Sequence, residues 1–190
     1  MKCILCESFS LIHVCKSCQN NFLKPQIYKR KIANTQVISF YKYKDIKELL
    51  HTKHTDIGYY IYTILAKNSF AKFANEFKFS NSISSIAIDD NIKSGYSHTA
   101  VLNKHLKSKN IKPLHNKLIS QNDVSYSGKS KQFRLSNPRN FQLFNIKESE
   151  IILVDDIITT GLTLNEAIQT LQKHNKEVLF CLTLADSSQK

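Results

Sequence analysis

Two carboxylates, three threonine hydroxyls and a glycine stand within one short run, Ile151-Ile152-Leu153-Val154-Asp155-Asp156-Ile157-Ile158-Thr159-Thr160-Gly161-Leu162-Thr163. The apolar half reads as a buried central strand, with the paired acids at its carboxyl end. Open α/β sheets bind ligands at that end. A turn follows, then a helix start, where unpaired backbone N–H groups and the helix dipole hold an anion such as phosphate. Ile158, Thr159, Thr160, Gly161, Leu162 and Thr163 form the cradle. The threonines add hydroxyl donors, and Gly161 lets the backbone approach the anion without a Cβ. Asp155 and Asp156 can accept hydrogen bonds from ribose hydroxyls. A bare N-cap cluster after a buried strand is the ordinary alternative, but it does not call for Asp-Asp followed by Thr-Thr-Gly-x-Thr.

A second constellation opens the chain. Cys3-x-x-Cys6 is followed, after eight residues, by Cys15-x-x-Cys18. Two residues between cysteines turn both sulfurs toward one ion, and two such knuckles make a tetrahedral thiolate site for structural zinc. Two disulfides or four unliganded thiols are the alternatives. The start lacks the apolar core of a signal peptide, so a cytoplasmic location is expected, and disulfides are disfavoured there. His13 reads as a bystander, since four thiolates complete the shell. Cys181 lies in the apolar run Val178 to Leu184 and reads as a core residue.

These residues need a scaffold. A chain of 190 residues with 42% hydrophobic content can build one α/β domain with a small appendage. The division expected is a zinc module over 1–24 and the main domain over 25–190, with Pro25 and Lys29-Arg30-Lys31 as the junction. No run of about 18 apolar residues is present, so no membrane span is expected. Strands are predicted over Val37–Tyr43, Ile83–Ile88, Lys112–Ile119, Glu150–Val154 and Val178–Ala185. Helices are predicted over Asp45–His51, Asp56–Phe73, Ser97–Lys109 and Thr163–His174. Their alternation implies a mainly parallel sheet flanked by helices. Ser120 to Arg139 is too long for an ordinary connection and reads as a lid or functional loop. Gly128-Lys129-Ser130 is no P-loop, because the glycine required five residues earlier is Asp123.

The net charge is +12, and it is unevenly placed. Nine Lys/Arg and the single acid Asp123 lie between Lys104 and Arg139. From Phe141 onward the acids outnumber the bases. Local positive charge favours a polyanion, although a solvated face has the same composition. Lys29, Arg30, Lys31, Lys129, Lys131 and Arg134 are the cations expected to face single-stranded DNA, with Phe133 and Tyr126 available to stack on bases.

The Asp-Asp to Thr163 run closely resembles the phosphoribosyl-pyrophosphate (PRPP) motif of type I phosphoribosyltransferases. With the cysteine module in front of it, the whole chain resembles the ComF/ComFC family. Tyr41-Lys42-Tyr43, Gln132-x-x-Leu135 and Asn140-x-x-x-Phe144 are weaker points of likeness. The resemblance implies a type I phosphoribosyltransferase-like fold, PRPP with Mg²⁺ as ligand, and a role in natural transformation. In that role the protein handles incoming single-stranded DNA alongside a DNA-translocating helicase and other competence proteins. Many members carry an Arg-Gly-Phe-Asn-like run where this chain has Ser94-Gly95-Tyr96-Ser97, which leaves Lys93 as the nearest cation for pyrophosphate. That departure implies weak transferase chemistry. Two other readings follow from the same motif: a salvage transferase acting on an unidentified acceptor, and a PRPP-sensing regulator.

Overall fold

The computed structural model describes residues 1–89, 95–122, 124 and 130–189. Its sheet has seven strands in the spatial order β1 (Tyr28–Ile32), β2 (Thr35–Lys42), β7 (Glu177–Asp186), β6 (Glu150–Ile158), β3 (Ile83–Asp89), β4 (Ile111–Ser120) and β5 (Phe141–Leu143). The five strands from β2 to β4 are parallel, while β1 and β5 pair antiparallel at the two edges. The mainly parallel sheet flanked by helices is therefore as expected. Parallel strands covered on both faces need apolar side chains at every position, and Ile151 to Val154 are all fully buried.

Helices α2 (Tyr43–His51), α3 (Gly58–Asn68), α4 (Phe70–Glu76) and α5 (His98–Lys104) cover one face. Their Leu49, Leu50, Ile61, Leu65, Phe70 and Leu102 share a cluster with Ile152, Val154, Leu182 and Leu184 of the sheet. Helix α7 (Leu162–Lys173) covers the other face. Its Leu164, Ala167, Ile168 and Leu171, spaced i, i+3, i+4, i+7, pack on Val37, Ile151, Leu153 and Cys181.

The N-terminal segment, with its short helix α1 (Lys16–Phe22), adds Cys3, Val14, Cys18 and Leu23 to the first of these clusters. Polar contacts fix the junction. The Tyr41 hydroxyl donates to the Leu23 carbonyl at 3.0 Å, and Asn68 Nδ2 donates to Gln19 Oε1 at 3.0 Å.

Several boundaries differ from expectation, each for a physical reason. The single helix predicted over Asp56–Phe73 is two, broken at Ser69 (φ −118°, ψ −74°), whose hydroxyl donates to the Leu65 carbonyl at 2.7 Å. Such back-bonding competes with helix propagation. Strand β6 does not end at Val154 but carries on through both acids to Ile158, because β7 pairs with it that far. Helix α5 stops at Lys104, short of the predicted Lys109. The predicted lid contains a helix, α6 (Lys131–Ser136), N-capped by Ser130. Lys29-Arg30-Lys31 lie within edge strand β1, which β2 templates through a tight turn at Ala33 (φ 49°).

Candidate functional site

Strand β6 outruns one of its neighbours. Its last pair with β3 is Ala87–Val154, whereas β7 accompanies it to Ile158–Asp186. Among the described residues, Asp155 and Asp156 thus lie beyond the last pair that β6 makes with β3. Successive side chains of a strand point to opposite faces. Asp155 follows Leu153 toward the α7 side, and Asp156 follows Val154 toward α2, α3 and α5. The two acids expected to act as a pair are consequently separated by the sheet itself.

Asp155 lines an open recess together with Ile157, Ile158, Thr159, Gly161, Leu162 and Thr163 of the turn and Arg134 of α6. Gly161 stands at φ 80°, in the left-handed region, and a Cβ there would run into the Ile32 side chain. Only glycine fits both demands. Helix α7 has no side-chain cap, so its first N–H groups suit a bound anion. Thr160 is exposed; its hydroxyl accepts from the Leu162 N–H at 3.4 Å.

Two arginines converge on Thr159. Arg30 Nη2 donates to its carbonyl at 2.6 Å, and Arg134 Nη1 donates to its hydroxyl at 2.9 Å. Arg30 Nη1 also lies 3.5 Å from Asp186 Oδ1 at the end of β7. Residues 30 and 134, singled out as DNA cations, thus both contact Thr159 in the β6–α7 turn. Lys29 and Lys31 are exposed on β1, and Phe133 is half-buried on α6. Lys93, Tyr126 and Lys129 lie outside the described residues, as does the side chain of Lys131.

On the other face, Asp156 Oδ2 is 3.2 Å from Lys53 Nζ and 3.3 Å from His98 Nε2. Burial pushes the Asp156 carboxyl up, but the Lys53 ammonium and the His98 imidazole outweigh it and hold the group well below the usual carboxylate range. The Tyr62 ring packs edge-on to His98 at 5.5 Å. Burial, with the Asp156 charge next, drives the Tyr62 phenol well above its ordinary value. Sequence reasoning missed Lys53, His98 and Tyr62, which carry no local signature. Cys181 is the core residue expected, its thiol pushed up to about 12 by burial and by the charge of Asp155.

The four N-terminal sulfurs lie within 4.8 Å of one another. A tetrahedral zinc–thiolate site with bonds of about 2.3 Å needs S···S separations of about 3.8 Å, and Cys6 and Cys15 are 3.7 Å apart. Knuckle N–H groups point at sulfur: Cys15 N–H to Cys3 Sγ at 3.3 Å and Cys18 N–H to Cys15 Sγ at 3.4 Å. Burial raises the Cys3 thiol, but N–H donors from Cys15, Leu5 and Cys6 bring it down to about 6. These donors favour the Cys3 thiolate, whereas burial and the neighbouring sulfurs push the Cys18 thiol up. The four cysteines therefore fit a metal ion such as zinc. His13 is outside the set; it contacts the Met1 sulfur and stacks obliquely on Tyr60.

The family described as the phosphoribosyl transferase domain matches residues 115–190. The match runs from within β4 through β7 and holds Arg134, Asp155 and the phosphate turn, while Arg30, Lys53 and His98 fall outside it. No curated protein matches the sequence. Among solved structures, hypoxanthine phosphoribosyltransferase from Staphylococcus aureus is similar at 15% identity and a TM-score of 0.40, over 66% of this chain and 62% of that one. A ternary substrates complex of the Trypanosoma cruzi hypoxanthine phosphoribosyltransferase is similar at 18% identity and a TM-score of 0.39, over 67% of this chain and 66% of that one. The chain thus spans less than two thirds of either structure's length. With the domain match over β4 to β7 and the parallel sheet around the turn, the fold is type I phosphoribosyltransferase-like, preceded by a four-cysteine cluster compatible with a zinc module.

Proposed function

We propose that the protein binds PRPP at the β6–α7 turn and single-stranded DNA on the adjoining basic surface, as a cytoplasmic competence protein of the ComF/ComFC kind. One observation carries the PRPP half: Asp155, the Gly161–Thr163 backbone and Arg134 meet at one recess on the carboxyl edge of the parallel sheet. The 5′-phosphate rests on the start of α7, with Thr159 and Thr163 hydroxyls beside it, and Asp155 accepts from a ribose hydroxyl. Mg²⁺ accompanies the pyrophosphate and neutralises its charge. Lys53, held with His98 by Asp156, supplies positive charge near that end. Cys3, Cys6, Cys15 and Cys18 hold a structural zinc with no open coordination position, so residues 1–24 act as a zinc module docked on the main domain.

The DNA half rests on charge. Lys29 and Lys31 are exposed on β1, and Arg134 of α6 reaches the β6–α7 turn, on a chain of net charge +12. Such a surface replaces counterions along a phosphate backbone, and Phe133 offers a ring for stacking. The family match over residues 115–190 favours a second reading, a salvage transferase moving phosphoribosyl from PRPP to a base.

Calorimetry with PRPP and Mg²⁺, and anisotropy of a labelled single strand with and without PRPP, test the proposal. Expected are PRPP binding that Asp155→Ala abolishes, and strand binding that weakens steeply with salt. Steady pyrophosphate release with any nucleobase at ordinary transferase rates favours the salvage enzyme. Failure to bind a single strand at low salt removes the competence reading.

A further inference from the structure

Arg134 carries an assignment different from a DNA contact. It lines the same recess as Thr159, Gly161 and Thr163 at the start of α7. From α6, its Nη1 donates to the Thr159 hydroxyl at 2.9 Å. Arg30 is a second guanidinium at Thr159: its two terminal nitrogens reach the Thr159 carbonyl and the buried Asp186 carboxylate, so it ties the turn to the end of β7.

We propose that Arg134 is a ligand of the phosphate group bound at this turn, delivered by α6. The inference rests on the phosphate-turn reading above. A guanidinium is planar and permanently charged, and it presents parallel N–H donors that match two phosphate oxygens at once. A phosphate seated on the first N–H groups of α7 lies within the same recess that Arg134 lines. The guanidinium then meets it on the side away from the helix, where the turn alone offers only threonine hydroxyls. This makes the 5-phosphate of a phosphoribosyl compound the group that the site reads. Helix α6 has six residues. So short a helix draws its order from tertiary contacts rather than from its own propensity. Occupancy of the phosphate site therefore steadies α6 through Arg134.

The test uses full-length, zinc-loaded protein and calorimetry with ribose 5-phosphate. Arg134→Gln is expected to weaken binding by about 10- to 100-fold, the usual worth of a hydrogen bond to a charged group. Arg134→Lys should recover part of the loss, and zinc content should stay unchanged in both. The loss should persist in a Thr159→Val background, because the guanidinium acts on the phosphate and not through that hydroxyl. Three outcomes overturn the inference: equal affinity of Arg134→Gln and wild type, disappearance of the effect in the Thr159→Val background, or loss of single-strand binding alone with ribose 5-phosphate affinity spared. Wild-type protein that binds neither ribose 5-phosphate nor PRPP overturns the phosphate-turn reading itself, a result separate from the other three.

Discussion

Gly161 and Asp156 show how much one position carries. Gly161 combines a left-handed backbone with a Cβ position taken by Ile32. Gly161→Ala should cost about 1–2 kcal/mol for the backbone alone, more for the displaced Ile32, and abolish PRPP binding. Thermal melting and calorimetry read both effects, and unchanged affinity would remove the turn from the site. The Asp156 carboxyl is held below its unfolded value. It therefore contributes stability above the unfolded carboxylate pKa, and the contribution is lost as pH falls through the lower folded value. Asp156→Asn should be less stable than wild type by about 1–3 kcal/mol at pH 7, with the gap closing below about pH 4. Urea titrations at both pH values check this; a gap of constant size would show that the Lys53 and His98 contacts do not depend on the charge of Asp156.

At the scale of elements, strand β1 and helix α6 both reach the turn between β6 and α7. Strand β1 places Arg30 and Ile32 on the same side, two residues apart, so one edge strand both braces Thr159 and fills the space beside Gly161. Arg30→Met keeps the packing stem and removes the charged donors. It leaves the Asp186 carboxylate, which is 1% exposed, with its remaining donors from Ser188. The expected cost is about 2 kcal/mol, the scale of a hydrogen bond to a charged group, with weaker PRPP binding. Denaturation midpoints and calorimetry together test it. A stability loss without an affinity loss would mean that the turn keeps its shape without Arg30.

At the scale of the whole molecule, the N-terminal segment joins the main core: Cys3, Val14, Cys18 and Leu23 share a cluster with Phe40, Tyr41 and Leu65, so the cysteine knuckles border it. Removing the metal should therefore lower the stability of the entire chain. Replacing Cys3 and Cys18 with serine should drop the melting midpoint by about 5 °C or more for each 2 kcal/mol lost, within a single transition. Calorimetric melting that splits into two transitions would show that the segment unfolds by itself. Among the described residues no helix is long and apolar enough to cross a membrane.

The sequence by itself determined what short-range pattern can encode. Apolar runs and 3.6-residue spacing located the five parallel strands and α7. Two cysteine pairs marked the four-sulfur cluster that fits a metal ion, and Asp-Asp with Thr-Thr-Gly-x-Thr marked the β6–α7 turn that lines the recess. Each signal is complete within a few residues, because it reflects backbone period or the reach of one turn. Tertiary structure alone decided the rest. Asp156 meets Lys53 across 103 residues of chain, and Thr159 meets Arg30 across 129. No local pattern encodes such distances. Even the separation of the two aspartates followed from β7 pairing with β6 as far as Ile158, which kept the acids in a strand and sent them to opposite faces.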